Sequence, residues 1–331
     1  MTSMQRNYYF DFLRGIAIMM VVAIHTFNAA ETDMSHLMVD SIALMRQLIN
    51  CAVPIFLAIS GYFLCSKNLD TKNERKVFWR KQIPRVYVPT MIVSLPYLYF
   101  SLMSGINPLK AIICMVVCGY SVYYFIALIL QYYALLPILQ KVTSGGVILS
   151  MVISLVSILS VTYITKTKGI DLPLIIYAGP FPIWLVFFVM GCYLRKVKRK
   201  YSLCLPMNMV LLGIVFSYAE TYYWNVNYGG GFGIKFSSFV YSMAVIMLLF
   251  SSRIECAYKH NVINKIIEYI GRVSFAIYLY HMFILYVLSI FHILEGLPWI
   301  VRWLICLTVT FVVIVFIKRI LPSKYHWYFG A

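Results

Sequence analysis

The sequence carries very little charge for its length. Only 12% of its 331 residues are charged, and just 11 of them are acidic. A soluble domain has roughly twice that fraction of charged residues. Apolar residues make up 62% of the chain, and long apolar runs recur from one end to the other. The composition therefore excludes an ordinary soluble domain and predicts a polytopic membrane protein built from helices.

Several motifs of soluble enzymes are missing as well. The sequence has no HExxH helix, no cysteine and histidine cluster with metal-ligand spacing, no phosphate-binding P-loop and no nucleophile elbow. The net charge of +17 comes from short basic clusters between apolar runs, which is typical of cytoplasmic loops. We therefore expect the lipid bilayer as surroundings, and neither a bound metal nor a nucleic-acid partner.

About ten membrane spans are predicted, and the basic clusters orient them. The segment 107–119 is interpreted as re-entrant or interfacial, because this keeps the clusters at 67–85 and 195–200 inside the cell. Both termini are then cytoplasmic, with Arg6 before the first span. The prediction is an all-α bundle forming one transmembrane domain over 1–331, with no fused soluble domain. The spans are 10–29, 40–66, 86–104, 121–140, 145–164, 175–194, 203–220, 236–251, 270–292 and 299–317.

The first span carries ionisable groups, which are costly inside a membrane and are therefore functional candidates. Arg14 and His25 lie about 20° apart around a helix and about 16 Å apart along it. Asp11 flanks the same face and either orients Arg14 or only anchors the helix. Arginine suits a phosphate, and a neutral buried imidazole suits a general base or an acyl acceptor. The alternative for His25 is a hydrogen-bonded packing residue.

The second span adds polar residues on one predicted face. Arg46 and Asn50 are expected at a depth similar to that of His25, and Ser60 is expected nearer to the level of Arg14. A kink is expected at Pro54, because proline removes a backbone donor. Arg46 either supports an acceptor or extends to the outer interface.

The ninth span contributes a further candidate face. Ser274, Tyr278 and His281 are spaced so that they lie on one side of a helix, with His281 near the middle of the membrane. Tyr278 and His281 are interpreted as supporting residues or as contacts to an acceptor. Packing is the alternative for His281.

At this point the sequence resembles a known family, the membrane-bound acyltransferase-3 proteins. The stretch FDFLRGIAIMMVVAIHTF is similar to the first helix of that family, in which an arginine is followed after ten residues by a histidine, here Arg14 and His25. Four later stretches resemble further blocks of the family, in order: VPIFLAISGYFL, FWRKQIPRVYVP, VYYFIALILQYYALLPIL and GRVSFAIYLYHMFIL. Together these blocks cover the chain almost from end to end.

The resemblance implies transfer of an acyl group, most often acetyl, from cytoplasmic acetyl-CoA to a hydroxyl of an extracytoplasmic glycan. Surface sugars of O-antigens, capsules or exopolysaccharides, or their lipid-linked precursors, would be the acceptors. No permanently bound cofactor is implied. His25 and Arg14 would be the catalytic residues, in a protein of the bacterial cytoplasmic (inner) membrane.

Donor-binding and aromatic positions carry over more loosely. The family often has an Arg-x-x-Arg segment, but here Gln82 stands three residues before Arg85, in place of the first arginine. CoA phosphates are therefore assigned to Arg80, Lys81 and Arg85 together with Arg14. Ser60 is a further donor contact. The family's tryptophan near the fourth helix is replaced by Tyr123 or Tyr124, and Tyr124 is chosen as the supporting residue.

Three questions stay open from the sequence. His25 either deprotonates the acceptor hydroxyl or transiently accepts the acyl group. The group transferred is acetyl or another acyl group such as succinyl. The competing function from another class is a transporter of glycans or lipid-linked sugars, whose buried charges line a path. The acceptor sugar and the oligomeric state are not defined.

Overall fold

A computed structural model describes residues 7–34, 39–197 and 199–330 of the chain. The protein is 78% helical, and the described residues contain no strand, which confirms the all-α class. Arg6 and Lys198, which contributed to the charge pattern used for the predicted orientation, lie outside the described residues.

Fifteen α-helices follow one another through the described part of the chain. They are α1 (Tyr8–Thr26), α2 (Ser41–Leu48), α3 (Ala52–Leu64), α4 (Lys72–Met103), α5 (Pro108–Val116), α6 (Tyr124–Leu139), α7 (Ser144–Thr162), α8 (Leu174–Tyr177), α9 (Phe181–Lys196), α10 (Cys204–Tyr228), α11 (Phe236–Leu249), α12 (Ser252–Ala257), α13 (Val262–Arg272), α14 (Ser274–Ile290) and α15 (Trp299–Ile320). The short turn Ile49–Cys51 joins α2 to α3, and the π-helical turn Tyr163–Thr167 extends α7.

Six helical stretches are long and apolar enough to cross a membrane: α1, α2 with α3, α4, α7 with its π-helical turn, α10 and α15. A seventh results if α13 and α14 count as one bent span, and α6 and α11 are apolar but shorter. The chain is thus a multi-pass membrane protein. The count of ten spans and the cytoplasmic position of both termini stay predictions.

The second predicted span is interrupted where the proline effect acts. The turn Ile49–Cys51 separates α2 from α3, and Pro54 stands in the first turn of α3. The proline ring clashes with the carbonyl four residues earlier, at Asn50, so the break falls upstream of Pro54. The change in helical pitch also shifts the two halves of the predicted face relative to each other.

Two other segments differ from the predicted boundaries. Helix α4 begins at Lys72 rather than at residue 86, so the basic segment is the first half of one long helix rather than a loop. A capping box of Thr71 and Glu74 fixes that start. The predicted span 270–292 contains a bend of 74° between α13 and α14. The segment 107–119 contains α5, whose nine residues span about 14 Å and cannot cross a membrane alone.

Close helix crossings hold the site-bearing helices in place. A Cβ on Gly191 of α9 would lie 2.0 Å from the Ala58 carbonyl oxygen of α3. A Cβ on Gly271 of α13 would lie 1.8 Å from the Asp11 carbonyl oxygen of α1. Small residues at such crossings let helix backbones approach in a membrane, where packing drives association. These contacts fix α1, which carries Asp11, Arg14 and His25, and α3, which follows directly after the turn that contains Asn50.

Candidate active site

Two cavities meet at His25. We call them the Arg14 cavity and the Arg46 cavity, and Val21, His25, Val53 and Tyr124 line both. The other residues of the Arg14 cavity are Arg14, Phe56, Val122, Phe125, Ser274, Phe275 and Tyr278. The remaining polar residues of the Arg46 cavity are Arg46, Asn50, Tyr177, Trp184, Lys235, Ser238 and Ser242. A group bound in either cavity can therefore reach the same imidazole.

The first helix places two of the predicted residues along one of these cavities. Arg14 and His25 both line the Arg14 cavity, about 16 Å apart along α1, as the helical period requires. Val21, between them, also faces the cavity, whereas Ile18 is fully buried in a hydrophobic cluster. The shared face of Arg14 and His25, inferred from their spacing, thus opens onto a real cavity.

Arg14 is held by neighbours on two sides. Its guanidinium donates to the Asp11 carboxylate at 3.0 Å, and it lies over the ring of Phe63 at 5.1 Å. The Asp11 side chain is only 9% exposed, while that of Arg14 is 33% exposed. Asp11 is therefore in a position to orient Arg14, which keeps part of its charge accessible at the open end of the cavity.

His25 faces a second histidine. The rings of His25 and His281 have centroids 5.4 Å apart. Nδ1 of His281 lies 2.8 Å from the Tyr278 carbonyl oxygen and 3.0 Å from that of Ile277. Carbonyl oxygens only accept hydrogen bonds, so Nδ1 carries the hydrogen and Nε2 keeps its lone pair. That buried Nε2 has no partner among the described residues, so His281 keeps an unused acceptor on a ring that neighbours the ring of His25.

Arg46 is buried in the wall of the Arg46 cavity. It is 6% exposed, donates to the Asn50 side-chain oxygen and lies over the Phe27 ring at 5.5 Å. Arg46 therefore lies inside the protein and does not extend to the membrane interface. Asn50, in the turn after α2, in turn donates to Gln47 at 2.9 Å, so Arg46, Asn50 and Gln47 form one connected chain.

Lys235 is the most prominent residue of this region that the sequence reasoning missed. It is 2% exposed, and its ammonium donates to Gln47, to Thr221 at 2.6 Å and to the Gly231 carbonyl at 3.2 Å. Lys235 lies between the predicted spans 203–220 and 236–251, outside every candidate face named from the sequence. The glycine-rich run just before it, with Gly229, Gly230 and Gly231 all at positive φ, was the available signal for a tight fold around the lysine.

The aromatic candidates separate clearly. Tyr124 lines both cavities and Tyr278 lines the Arg14 cavity, where its hydroxyl donates to the Val122 carbonyl at 2.5 Å. Tyr123 is fully buried and donates to the Leu279 carbonyl at 2.8 Å. Between the two tyrosines left open by the sequence, Tyr124 is thus the one at the site.

Four predicted donor contacts lie apart from both cavities. Arg80, Lys81 and Arg85 are exposed on the first half of α4, and Ser60 is half-buried on α3. Leu57, three residues before Ser60 on α3, is fully buried in the core. For Ser60, the break before α3 is the physical reason, because it turns the lower half of the predicted face away from the upper half.

The described residues contain no group of three or more histidine, cysteine or acidic side chains that could hold a metal ion. All eight cysteines are free thiols. What the site offers for chemistry is therefore an imidazole between two cavities, one arginine in each cavity, and a second imidazole behind the first.

A multi-pass helical bundle with such a site is typical of an enzyme that transfers a group within the membrane. The chain matches the family model described as an acyltransferase domain over residues 7–319, and it belongs to the acyltransferase-3 family. It is therefore a membrane acyltransferase, which decides for an enzyme over the transporter alternative. No curated protein and no solved structure matches the chain.

Proposed function

We propose that this acyltransferase moves an acetyl group from cytoplasmic acetyl-CoA to a hydroxyl of an extracytoplasmic surface glycan, in the bacterial cytoplasmic membrane. The observation that carries the proposal is the position of His25 at the junction of two cavities. One cavity then takes the acyl donor and the other the acceptor, which is an O-antigen, capsule or exopolysaccharide unit or its lipid-linked precursor.

The Arg14 cavity is the donor side. Arg14 is the cation at its partly exposed end, and permanently charged guanidinium groups bind phosphates well. The CoA phosphates bind at Arg14, and the exposed cations Arg80, Lys81 and Arg85 of α4 attract the donor before it enters. Beyond Arg14 the cavity is lined mainly by apolar and aromatic side chains, which suits the pantetheine arm and the acetyl group.

His25 carries the chemistry by one of two balanced routes. In the first, its unprotonated nitrogen takes the proton of the acceptor hydroxyl while the oxygen attacks the thioester carbon. The carbon–sulfur bond then breaks, and the CoA thiolate leaves and takes up the proton. In the second, that nitrogen attacks the thioester carbon, the carbon–sulfur bond breaks, and CoA leaves as the thiol with the proton of the other ring nitrogen. The acceptor hydroxyl then attacks the acyl-imidazole, the carbon–nitrogen bond breaks, and the hydroxyl proton returns to the imidazole.

The apolar lining near His25 favours acetyl over succinyl. Val21, Val53 and Phe56 offer no partner for the carboxylate of a succinyl group whose thioester lies at His25, and Arg14 is about 16 Å from His25 along α1. Burying such a carboxylate without a partner costs on the order of several kcal/mol. Competition between acetyl-CoA and succinyl-CoA for the purified protein measures this preference, and equal rates would contradict it.

The test of the function uses the full-length protein in lipid nanodiscs, labelled acetyl-CoA and the surface glycan purified from cells that lack the gene. We expect label in the glycan with the wild-type protein and none above background with His25→Ala. The matched control is His292→Ala, an exposed histidine paired with Glu295 at 2.5 Å. Transfer that survives His25→Ala would refute the catalytic assignment.

Two further measurements define the reaction. A stopped reaction without acceptor, followed by mass spectrometry of the peptide that contains His25, distinguishes the two routes, since only the second leaves an acetyl group on the imidazole. Proton NMR of the surface polysaccharide with and without the gene identifies the acetylated position. Unchanged O-acetyl signals would exclude this polysaccharide as the acceptor.

A further inference from the structure

The Arg46 cavity contains more positive charge than a neutral sugar would need. We propose that it binds an anionic group of the acceptor, a carboxylate or a phosphate on the sugar unit that is acetylated or on its direct neighbour. This inference rests on the proposed function and narrows its substrate class to acidic glycans or phosphate-bearing precursors.

Arg46 is the first reason. It is only 6% exposed, and its Nε has no hydrogen-bond partner in the part of the chain that the structure describes. Its described contacts are the neutral Asn50 side chain and the face of the Phe27 ring. Among the described residues, no carboxylate forms an ion pair with Arg46, and none lines either cavity.

Lys235 adds a second buried positive charge to the same cavity. All three of its described hydrogen bonds go to neutral oxygens, those of Gln47, Thr221 and Gly231. Because these bonds use all three ammonium hydrogens, Lys235 acts on a ligand through its charge rather than by direct contact. Glu220 offsets part of that charge, although its two oxygens already accept from the Ser237 amide at 2.7 Å and the Trp224 indole at 3.1 Å.

A buried cation without a counter-ion is unfavourable, because it loses its hydration and gains no opposite charge in return. A bound carboxylate or phosphate removes this deficit and makes charge-assisted hydrogen bonds with the guanidinium. A neutral hydroxyl cannot supply the missing charge. The cavity is therefore better matched to an acidic ligand than to a neutral one.

The location of Arg46 also fits a role in orienting the acceptor. Arg46 and His25 line the same cavity, so an anion held by Arg46 and a hydroxyl presented to His25 belong to one small region of a ligand. Holding the ligand at two points fixes the hydroxyl for attack, which is the usual function of an arginine clamp next to a reacting group.

The test uses the glycan from cells that lack the gene, in three forms: untreated, with its carboxyl groups reduced to alcohols, and with its phosphates removed by hydrofluoric acid. Binding of each form is measured to full-length His25→Ala protein in nanodiscs, which keeps the Arg46 cavity but cannot transfer the acyl group. We expect the form that lost the relevant anion to bind at least ten-fold more weakly, and the other treated form to bind like the untreated glycan. The treated form that loses binding identifies carboxylate or phosphate as the source of the charge.

Variants provide the second arm. Adding Arg46→Gln to the His25→Ala background is expected to weaken binding of the untreated glycan at least ten-fold, and adding Arg46→Lys by less. Adding Lys110→Gln, which removes an exposed charge from α5, should leave binding unchanged. The glycan arm needs no change at Arg46, so it decides the question even if Arg46→Gln fails to fold.

The outcomes separate this inference from the proposed function. Equal binding of all three glycan forms, or no binding of the untreated form, would overturn the inference. Loss of binding on removal of the anion, together with no transfer to the untreated glycan by the wild-type protein, would support the anionic site while refuting the proposed reaction.

Discussion

The role of Arg14 can be tested by its effect on the acyl donor. Under the proposed function, Arg14→Gln removes a charge-assisted contact to a CoA phosphate, and such contacts contribute about 1.5–3 kcal/mol. Because a third of the Arg14 side chain is exposed, solvent screens the contact and the lower end of the range applies. We therefore expect the KM for acetyl-CoA to rise about ten-fold. The assay is the initial rate of labelled acetyl transfer in nanodiscs at varied acetyl-CoA concentrations.

The control for this experiment is Arg272→Gln. Arg272 also lies over an aromatic ring, that of Tyr269 at 4.9 Å, but it is exposed at the end of α13 and lines neither cavity. Its KM for acetyl-CoA should equal that of the wild type. If Arg14→Gln also left this KM unchanged within two-fold, Arg14 would be an anchor of α1 rather than a donor contact.

Three other changes test the fold and the site. Gly191→Ala forces a Cβ to 2.0 Å from a backbone oxygen and should destabilise the protein by about 1–3 kcal/mol in thermal unfolding. The control Gly145→Ala, whose Cβ would have its nearest atom at 3.9 Å, should leave the stability unchanged. Equal stabilities of the two variants would contradict the close crossing. Tyr124→Ala should slow transfer at saturating donor, whereas Tyr123→Phe should only cost about 0.5–1.5 kcal/mol of stability; the reverse pattern would assign the site to Tyr123. His281→Phe should lower kcat at least ten-fold without changing the KM for acetyl-CoA, because the lost nitrogen acts on His25 and not on the donor; an unchanged kcat would make His281 a packing residue.

The part of the site that the sequence predicts is the part that lies within one helix. The positions of Arg14 and His25 on one face follow from the period of α1, which no later packing changes. The same reasoning brings Arg46 and Asn50 together, because they are four residues apart and Asn50 follows the end of α2 by only two residues. Where the chain departs from a regular helix, at the turn Ile49–Cys51, the prediction for Ser60 loses its basis.

The remaining part depends on contacts between distant segments. Lys235 and Gln47 are 188 residues apart in sequence, and they meet only because α10 packs against α2 and α11 packs against the turn Ile49–Cys51. A single sequence contains no period or spacing that reports this contact. The sequence likewise does not predict the contact between the rings of His281 and His25, because this contact depends on the bend between α13 and α14.

The arrangement of the two cavities bears on how a membrane enzyme could use a cytoplasmic donor for an acceptor on the other side. The cavities share Val21, His25, Val53 and Tyr124, so the partition between them is no more than one layer of side chains. Under the proposed function, CoA stays on the side of Arg14 and the glycan on the side of Arg46, and only the acetyl group passes His25. An acetyl group is small and uncharged, and its passage does not carry a charge across the hydrocarbon core, which would be costly. The membrane would then remain sealed to both substrates throughout the reaction, with the imidazole as the single point at which they react.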